Sequence, residues 1–111
     1  MIQLQLGITS KKGEKLAHLT VIANIIAKED KVDFVKSELL KLVELTRKEQ
    51  GCIQYIAHQE PENPTHFLMY EIWESAELLE VHKNNTALTT YVDVTKDAIA
   101  DFTVQKMSVL S

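Results

Sequence analysis

Residues 66–82 read HFLMYEIWESAELLEVH, and this stretch predicts one β-strand that runs directly into one α-helix. Side chains along a strand alternate between the two faces of its sheet. One predicted face carries Phe67, Met69, Glu71 and Trp73. The other carries Leu68, Tyr70 and Ile72. Because apolar residues occur on both, both faces of this strand are expected to be covered.

The helix is expected to begin just after this strand. Ser75 stands at the N-cap position, where a hydroxyl oxygen accepts a hydrogen bond from a free backbone N–H group. His82 follows Leu78 and Leu79 at helical spacing, so its side chain is expected on the apolar face. A carboxylate, an indole and an imidazole, those of Glu71, Trp73 and His82, therefore gather around one strand-to-helix corner.

Periodicity and turn signals predict the remaining elements. The predicted strands are 18–27, 52–60 and Phe102 to Val109, the last with a slip in register near Met107. The predicted helices run from Asp30 to about Gln50 and from Thr86 to about Ile99, and a turn is predicted at 61–64. Asp30 and Thr86 are expected to cap their helices, and Gly51 suits the position after the first one.

The order strand, helix, strand, strand, helix, strand predicts a ferredoxin-like α+β sandwich made of two split βαβ halves. Helices cover one face of such a sheet. The other face is also apolar in this sequence, so we expect a second copy to cover it in a homodimer.

Residues 1–17 are expected to be an extension preceding a domain at 18–111. Ile2, Leu4, Leu6 and Ile8 alternate with Gly or polar residues, as in a strand. The segment is either a loosely ordered terminus or an added edge strand.

Chain length, net charge and cysteine content limit the kinds of partner and location that we expect for this protein. The chain has 111 residues, enough for one domain, and a net charge of −4 from 16 acidic and 12 basic residues. That balance argues against partners such as nucleic acid or an anionic membrane surface. No signal peptide or membrane helix is evident, and the single cysteine, Cys52, is typical of a cytoplasmic protein.

No metal or phosphate motif is present. The four histidines lack metal-ligand spacing, and the three glycines are isolated. The remaining possibility is a pocket whose side chains act on a small molecule. Its candidate residues are Asn24, Tyr55, Tyr70, Glu71, Trp73 and His82. Each also has a structural interpretation: a bonded amide, core aromatics and a satisfied histidine. Glu71 is harder to dismiss, because a glutamate in mid-strand is paired, at an edge or functional.

Two motifs resemble those of the antibiotic biosynthesis monooxygenase family. Glu49-Gln50-Gly51-Cys52 with Tyr55 is similar to the family pattern E-x-G-C-x-x-Y. The run YEIWES at 70–75, with His82 on the next helix, is similar to Y-E-x-W-x-S followed by a histidine. The resemblance extends over residues 18–109 and implies ferredoxin-like protomers that pair into a dimeric α+β barrel.

The resemblance also implies a cofactor-independent monooxygenase that oxidises a small quinol- or anthrone-like aromatic with O₂. Neither flavin, haem nor metal is implied. In the implied catalytic site, Trp73 walls the ring, Asn24 hydrogen-bonds an oxyanion and His82 handles the proton. The implied substrate-binding residues are Tyr55, Met69, Tyr70 and Glu71.

Two positions depart from family patterns. Met69 stands where polyketide-tailoring members usually have an asparagine, and Ala87 stands where many quinol-type and sugar-phosphate members have a second histidine. The resemblance does not imply haem breakdown, because the Trp position of haem-degrading relatives falls at His82 and their His position falls near Val92. Two alternatives remain: a small phosphosugar or carbonyl isomerase using His82 and Glu71, and a non-catalytic dimeric ligand-binding domain.

Overall fold

The computed structural model describes residues 18–111, which form four strands and three α-helices. In chain order the elements are β1 (Leu19–Ala27), a 3-10 turn (Glu29–Lys31), α1 (Val32–Thr46), β2 (Cys52–Glu60), β3 (Asn63–Trp73), α2 (Ala76–Lys83), α3 (Thr86–Thr95) and β4 (Ile99–Ser108). The predicted ferredoxin-like α+β fold is confirmed. The strand predicted in residues 1–17 lies outside the described residues.

The strands form one antiparallel sheet in the order β2-β3-β1-β4. The alternation predicted for β1 and β3 is confirmed. The buried face carries Val21, Ala23, Ile25, Ala27, Phe67, Met69, Glu71 and Trp73. The opposite face, which we call the outer face, carries half-buried residues that include Ile22, Asn24, Leu68, Tyr70 and Ile72. The second cover expected over this face is not supplied by the described residues of this chain.

Helix α1 closes one side of the core with an apolar stripe. Val35, Leu39, Leu42 and Val43 are buried against the sheet, and each such side chain contributes roughly 1.5–3 kcal/mol on burial. Helix α3 packs mainly on α1 rather than on the sheet. A hollow therefore remains between α3 and the β1-β4 side of the sheet.

The first helix is shorter than predicted at both ends. Asp30 lies in the 3-10 turn and caps nothing with its side chain, and the helix ends at Thr46 rather than near Gln50. Two tighter backbone bonds, Lys48 N to Leu45 O and Glu49 N to Thr46 O, turn the chain away from the helix axis.

Gly51 completes this turn and is not the residue directly after the helix. Its φ of +86° is rarely adopted by residues with a side chain. A Cβ there would also lie 2.6 Å from Leu78 Cδ1. The turn therefore packs directly on α2, and this brings Glu49 next to that helix.

Other predicted ends also differ. Ser75 caps α2 as predicted, with its Oγ accepting from Leu78 N, but α3 is capped by Asn85 rather than Thr86. The register irregularity lies between Ile26 and Ala27 opposite the start of β4, not near Met107. The turn between β2 and β3 is only 61–62, and Pro64 is part of β3, near its hairpin end where ladder pairing begins.

None of the helices in the described part of the chain is long and apolar enough to cross a membrane.

Candidate active site

A cavity of about 540 Å³ lies between the buried face of the sheet and helices α2 and α3. Its walls are largely apolar and include Ile25, Leu39, Leu42, Met69, Leu79 and Leu88. Lys83, Lys96 and Phe102 also line it and are exposed. Such a hollow, with few polar groups, is the usual form of a small-molecule site.

Glu71 is one of those few polar groups. It is 5% exposed, and the indole Nε1–H of Trp73 donates to its Oε1 over 2.9 Å. Burial raises the pKa of the Glu71 carboxyl to about 7, against a smaller lowering by the Trp73 hydrogen bond. Near neutral pH this group therefore exists in both forms, as a hydrogen-bond donor and as a carboxylate.

His82 is the second polar group and is 3% exposed. Its Nδ1 lies 2.9 Å from Oε1 of Glu49. The imidazole lies against the indole of Trp73, with ring centroids 4.5 Å apart and planes inclined by 31°, and it meets Tyr55 edge-on at 5.6 Å. These contacts fix the plane of the imidazole at the cavity wall.

Two phenols, those of Tyr55 and Tyr91, also line the cavity. Burial, and next the charge of Glu71, raise the pKa of Tyr55 well above its usual range, and burial raises that of Tyr91 to about 12. Both hydroxyls therefore keep their protons at neutral pH.

The structure brings together some of the predicted site residues and separates others. Tyr55, Met69, Glu71 and His82 line the cavity. Trp73 is completely buried behind Glu71 and His82, so it supports them rather than walling the cavity.

Asn24 and Tyr70 lie on the outer face. Asn24 pairs in register with Leu68, and its Oδ1 is 2.7 Å from Nε2 of His66. Tyr70 pairs with Ile22 on the same face. The expectation that Asn24 shares one hollow with Trp73 and His82 is therefore not met, and its amide fits the structural interpretation, a bonded polar group.

No group of three or more His, Cys, Asp or Glu side chains that could hold a metal ion occurs within residues 18–111.

Comparison with known proteins identifies the family. A family model described as antibiotic biosynthesis monooxygenase matches residues 18–94. The chain belongs to the antibiotic biosynthesis monooxygenase family.

Several known proteins are similar to this chain over most of its length. The uncharacterized protein YjcS of Bacillus subtilis is 31% identical over 91 residues, which are 80% of this chain and 81% of that protein. The crystal structure of PA3566 from Pseudomonas aeruginosa has a TM-score of 0.82 and 28% identity, covering 86% of this chain and 96% of the other. A crystal structure described as antibiotic biosynthesis monooxygenase has a TM-score of 0.80 and 30% identity, covering 84% and 99%.

Two polar residues at or next to the cavity, Glu49 and Tyr91, were not predicted as site residues from the sequence. Glu49 belongs to the motif that carried the resemblance, but nothing in the motif tied its carboxylate to a histidine 33 positions away. Tyr91 lines the cavity with a buried hydroxyl that has no hydrogen-bond partner among the described residues. The sequence indicated only that this aromatic residue lies within the predicted helix from Thr86 to about Ile99.

Proposed function

We propose that this protein is a cofactor-independent monooxygenase that oxidises a small quinol-like or anthrone-like aromatic with O₂. The observation that carries the proposal is the apolar cavity of about 540 Å³ with Glu71 and His82 together in its wall. Apolar walls bind a flat ring and keep water away from its anion, and the two ionisable groups supply proton chemistry.

The proposed reaction begins with proton transfer. His82 takes the proton of a ring hydroxyl or of an acidic ring C–H group, and the electron pair stays on the substrate. The electron-rich anion passes an electron to O₂, and the two radicals combine. Collapse of the peroxide breaks its O–O bond and the C–H bond at the oxygenated carbon, so one oxygen atom stays in the quinone product as a carbonyl. The other oxygen leaves as water, with that hydrogen and the proton returned by His82. Every electron that reduces O₂ comes from the substrate.

The remaining residues of the cavity have supporting roles in this proposal. Glu71, in its protonated form, donates a hydrogen bond to a substrate oxygen, and Trp73 holds that carboxyl in place through the 2.9 Å bond. Tyr55 and Met69 wall the ring. Asn24 and Tyr70 have no part in it, because they lie on the outer face.

The alternatives draw less support. A phosphosugar isomerase needs a basic pocket for the phosphate, whereas the walls of this cavity are largely apolar and its two lysines, Lys83 and Lys96, each lie beside a carboxylate. A domain that had lost its site would be expected to have a filled core, whereas this one has an open cavity.

The first test is O₂ consumption by the purified protein with a panel of hydroquinones and anthrones. We expect uptake above buffer with at least one compound, a product whose mass includes one added oxygen atom from labelled O₂, and the same rate after dialysis against a chelator. The same mixture without O₂ should leave the substrate unchanged. Uptake at the buffer rate across the whole panel would eliminate the proposal.

We also propose a homodimer, formed by the outer faces of two copies. The support is a set of half-buried apolar side chains on that face, including Ile22, Leu68, Tyr70 and Ile72. The partners of the protein are then a second copy, a small aromatic and O₂. A cytoplasmic location stays a prediction from the single cysteine.

Leu68→Lys tests the dimer, because it places a charge in the middle of the outer face. We expect the dimer dissociation constant to rise by roughly 100-fold or more, as for a central interface residue, measured by sedimentation equilibrium. Leu45→Lys is the matched control, since Leu45 is an exposed leucine on α1. Equal masses for wild type and Leu68→Lys at every concentration would contradict this interface.

A further inference from the structure

We propose that Glu49 is the positioning residue that fixes the tautomer of His82, so that Nε2 of His82 is the atom that accepts the substrate proton. The inference rests on the proposed function and deepens it. It adds a residue that lies outside the cavity lining and that the proposed reaction does not otherwise require.

The contact itself sets the tautomer. Oε1 of Glu49 lies 2.9 Å from Nδ1 of His82, and the two side chains are 12% and 3% exposed. A carboxylate only accepts hydrogen bonds, so Nδ1 must carry the hydrogen. The neutral ring then has its lone pair on Nε2, and a second partner of this kind commonly fixes a functional histidine.

Neighbouring side chains leave the His82 imidazole little freedom to flip and exchange the positions of Nδ1 and Nε2. Trp73 lies against one face of His82 and Tyr55 meets it edge-on. Glu49 is equally held, because its backbone N–H bonds Thr46 O and its carbonyl accepts from Cys52 N, on either side of the turn that Gly51 closes. Both partners of the pair are therefore placed by backbone structure.

Only one of the two carboxylate oxygens of Glu49 is paired within the described part of the chain. Oε2 of Glu49 is buried without a hydrogen-bond partner among the described residues. An unsatisfied buried acceptor is costly, and such an atom in a folded protein calls for an explanation. Holding His82 in one tautomer would explain why that cost is retained.

The same atom pair occurs elsewhere in the chain, away from both the candidate active site and the cavity between α1 and α3. His66 Nδ1 lies 2.9 Å from Glu60 Oε1, but these side chains are 25% and 47% exposed, and His66 is on the outer face. Glu60→Gln is therefore a matched control for Glu49→Gln. Both variants remove one carboxylate from one histidine at the same distance.

In the proton-transfer step, the substrate O–H or C–H bond breaks and its electron pair stays on the substrate. The proton forms a new bond to Nε2, and His82 becomes an imidazolium whose Nδ1–H still bonds Glu49. The proton on Nε2 later returns to the oxygen that leaves as water. Glu49 itself neither gains nor loses a proton.

A second cavity, of about 470 Å³, gives an independent way to test Glu49. It lies between α1 and α3, and Glu49, Lys48 and Thr90 are among its lining residues. Removal of the carboxylate by Glu49→Ala opens space at this cavity for a small carboxylate ion such as formate. The ion can then take the place of the missing group beside Nδ1.

The experiment compares the wild type with Glu49→Gln and Glu60→Gln. The glutamine amide can donate to Nδ1 and so favour the opposite tautomer. We expect kcat with the best quinol to fall roughly 10²- to 10⁴-fold in Glu49→Gln, with KM nearly unchanged. Nitrogen-15 NMR of the His82 ring should show hydrogen on Nδ1 in the wild type and in Glu60→Gln, and on Nε2 in Glu49→Gln.

Formate supplies the readout that a merely structural role would not move. In Glu49→Ala, formate should restore kcat at least about tenfold and return the hydrogen to Nδ1, with no such effect on the wild type or Glu49→Gln. Unchanged kcat and an unchanged tautomer in Glu49→Gln would overturn the inference. If the wild type oxidises no quinol but the tautomer still follows Glu49, the proposed function fails while the positioning by Glu49 stands.

Discussion

Glu71→Gln is expected to stabilise the protein at pH 8 and to remove the fall in turnover that we expect of the wild type above pH 7. Burial raises the pKa of Glu71 from 4.5 to about 7, so ionising this side chain in the folded protein is unfavourable. Glutamine has a similar shape and keeps a hydrogen-bond donor in the cavity, but it cannot ionise.

The direction of the stability effect follows from proton binding. Between pH 4.5 and 7 the folded protein keeps the Glu71 proton that the unfolded chain has released. The unfolding free energy of the wild type therefore falls as pH rises through this window, and the effect of Glu71 is constant above it. The shift corresponds to about 3 kcal/mol. Urea denaturation gives the unfolding free energies of the wild type and Glu71→Gln at pH 4.5 and pH 8. The unfolding free energy of the variant minus that of the wild type should increase by about 2–3 kcal/mol from pH 4.5 to pH 8.

The effect on turnover depends on the same proton. In the proposed site the protonated carboxyl donates to a substrate oxygen, and a carboxylate would repel the substrate anion. Wild-type kcat should therefore decline above pH 7, and Glu71→Gln should stay level. Glu74→Gln, which changes an exposed carboxylate three positions away, should behave as the wild type in both assays. A wild-type rate that rises through pH 7, together with an inactive Glu71→Gln, would instead make Glu71 the base.

The sequence predicted the elements of this fold better than it predicted their relative placement. Alternation along β1 and β3 sorted each strand correctly into two faces, because period two is a property of the strand itself. Alternation does not tell which face the helices cover. The pairing of Asn24 with Leu68, and of Val21 with Glu71, decides that Asn24 lies on the outer face.

The missed partner of His82 shows the same limit. Glu49 reaches His82 only because the helix ends early and Gly51 turns the chain with a positive φ directly beneath Leu78. Whether two side chains 33 positions apart come within 2.9 Å depends on such a turn. Local propensity placed Gly51 near the end of a helix, which was nearly right, but it did not specify the direction in which the chain continues.

His82→Gln is expected to cost nearly all turnover while leaving the fold and the cavity in place. A glutamine amide can still donate to Glu49, but it has no basic nitrogen to accept the substrate proton. Because general base catalysis typically contributes roughly 10²- to 10⁴-fold, kcat should fall by that amount. Single-turnover O₂ consumption measures this loss, and the dissociation constant of the quinone product should change far less.

Two control variants locate the chemistry on one face of the sheet. His66→Gln changes the other carboxylate-paired histidine, and Asn24→Ala removes the amide that pairs with it, both on the outer face. Because neither side chain is among the residues that line the cavity, each should keep kcat within about twofold of wild type. Full activity in His82→Gln would remove His82 as the base. Loss of activity in Asn24→Ala, with His82→Gln unaffected, would move the reacting centre to the outer face and therefore to the interface between two copies.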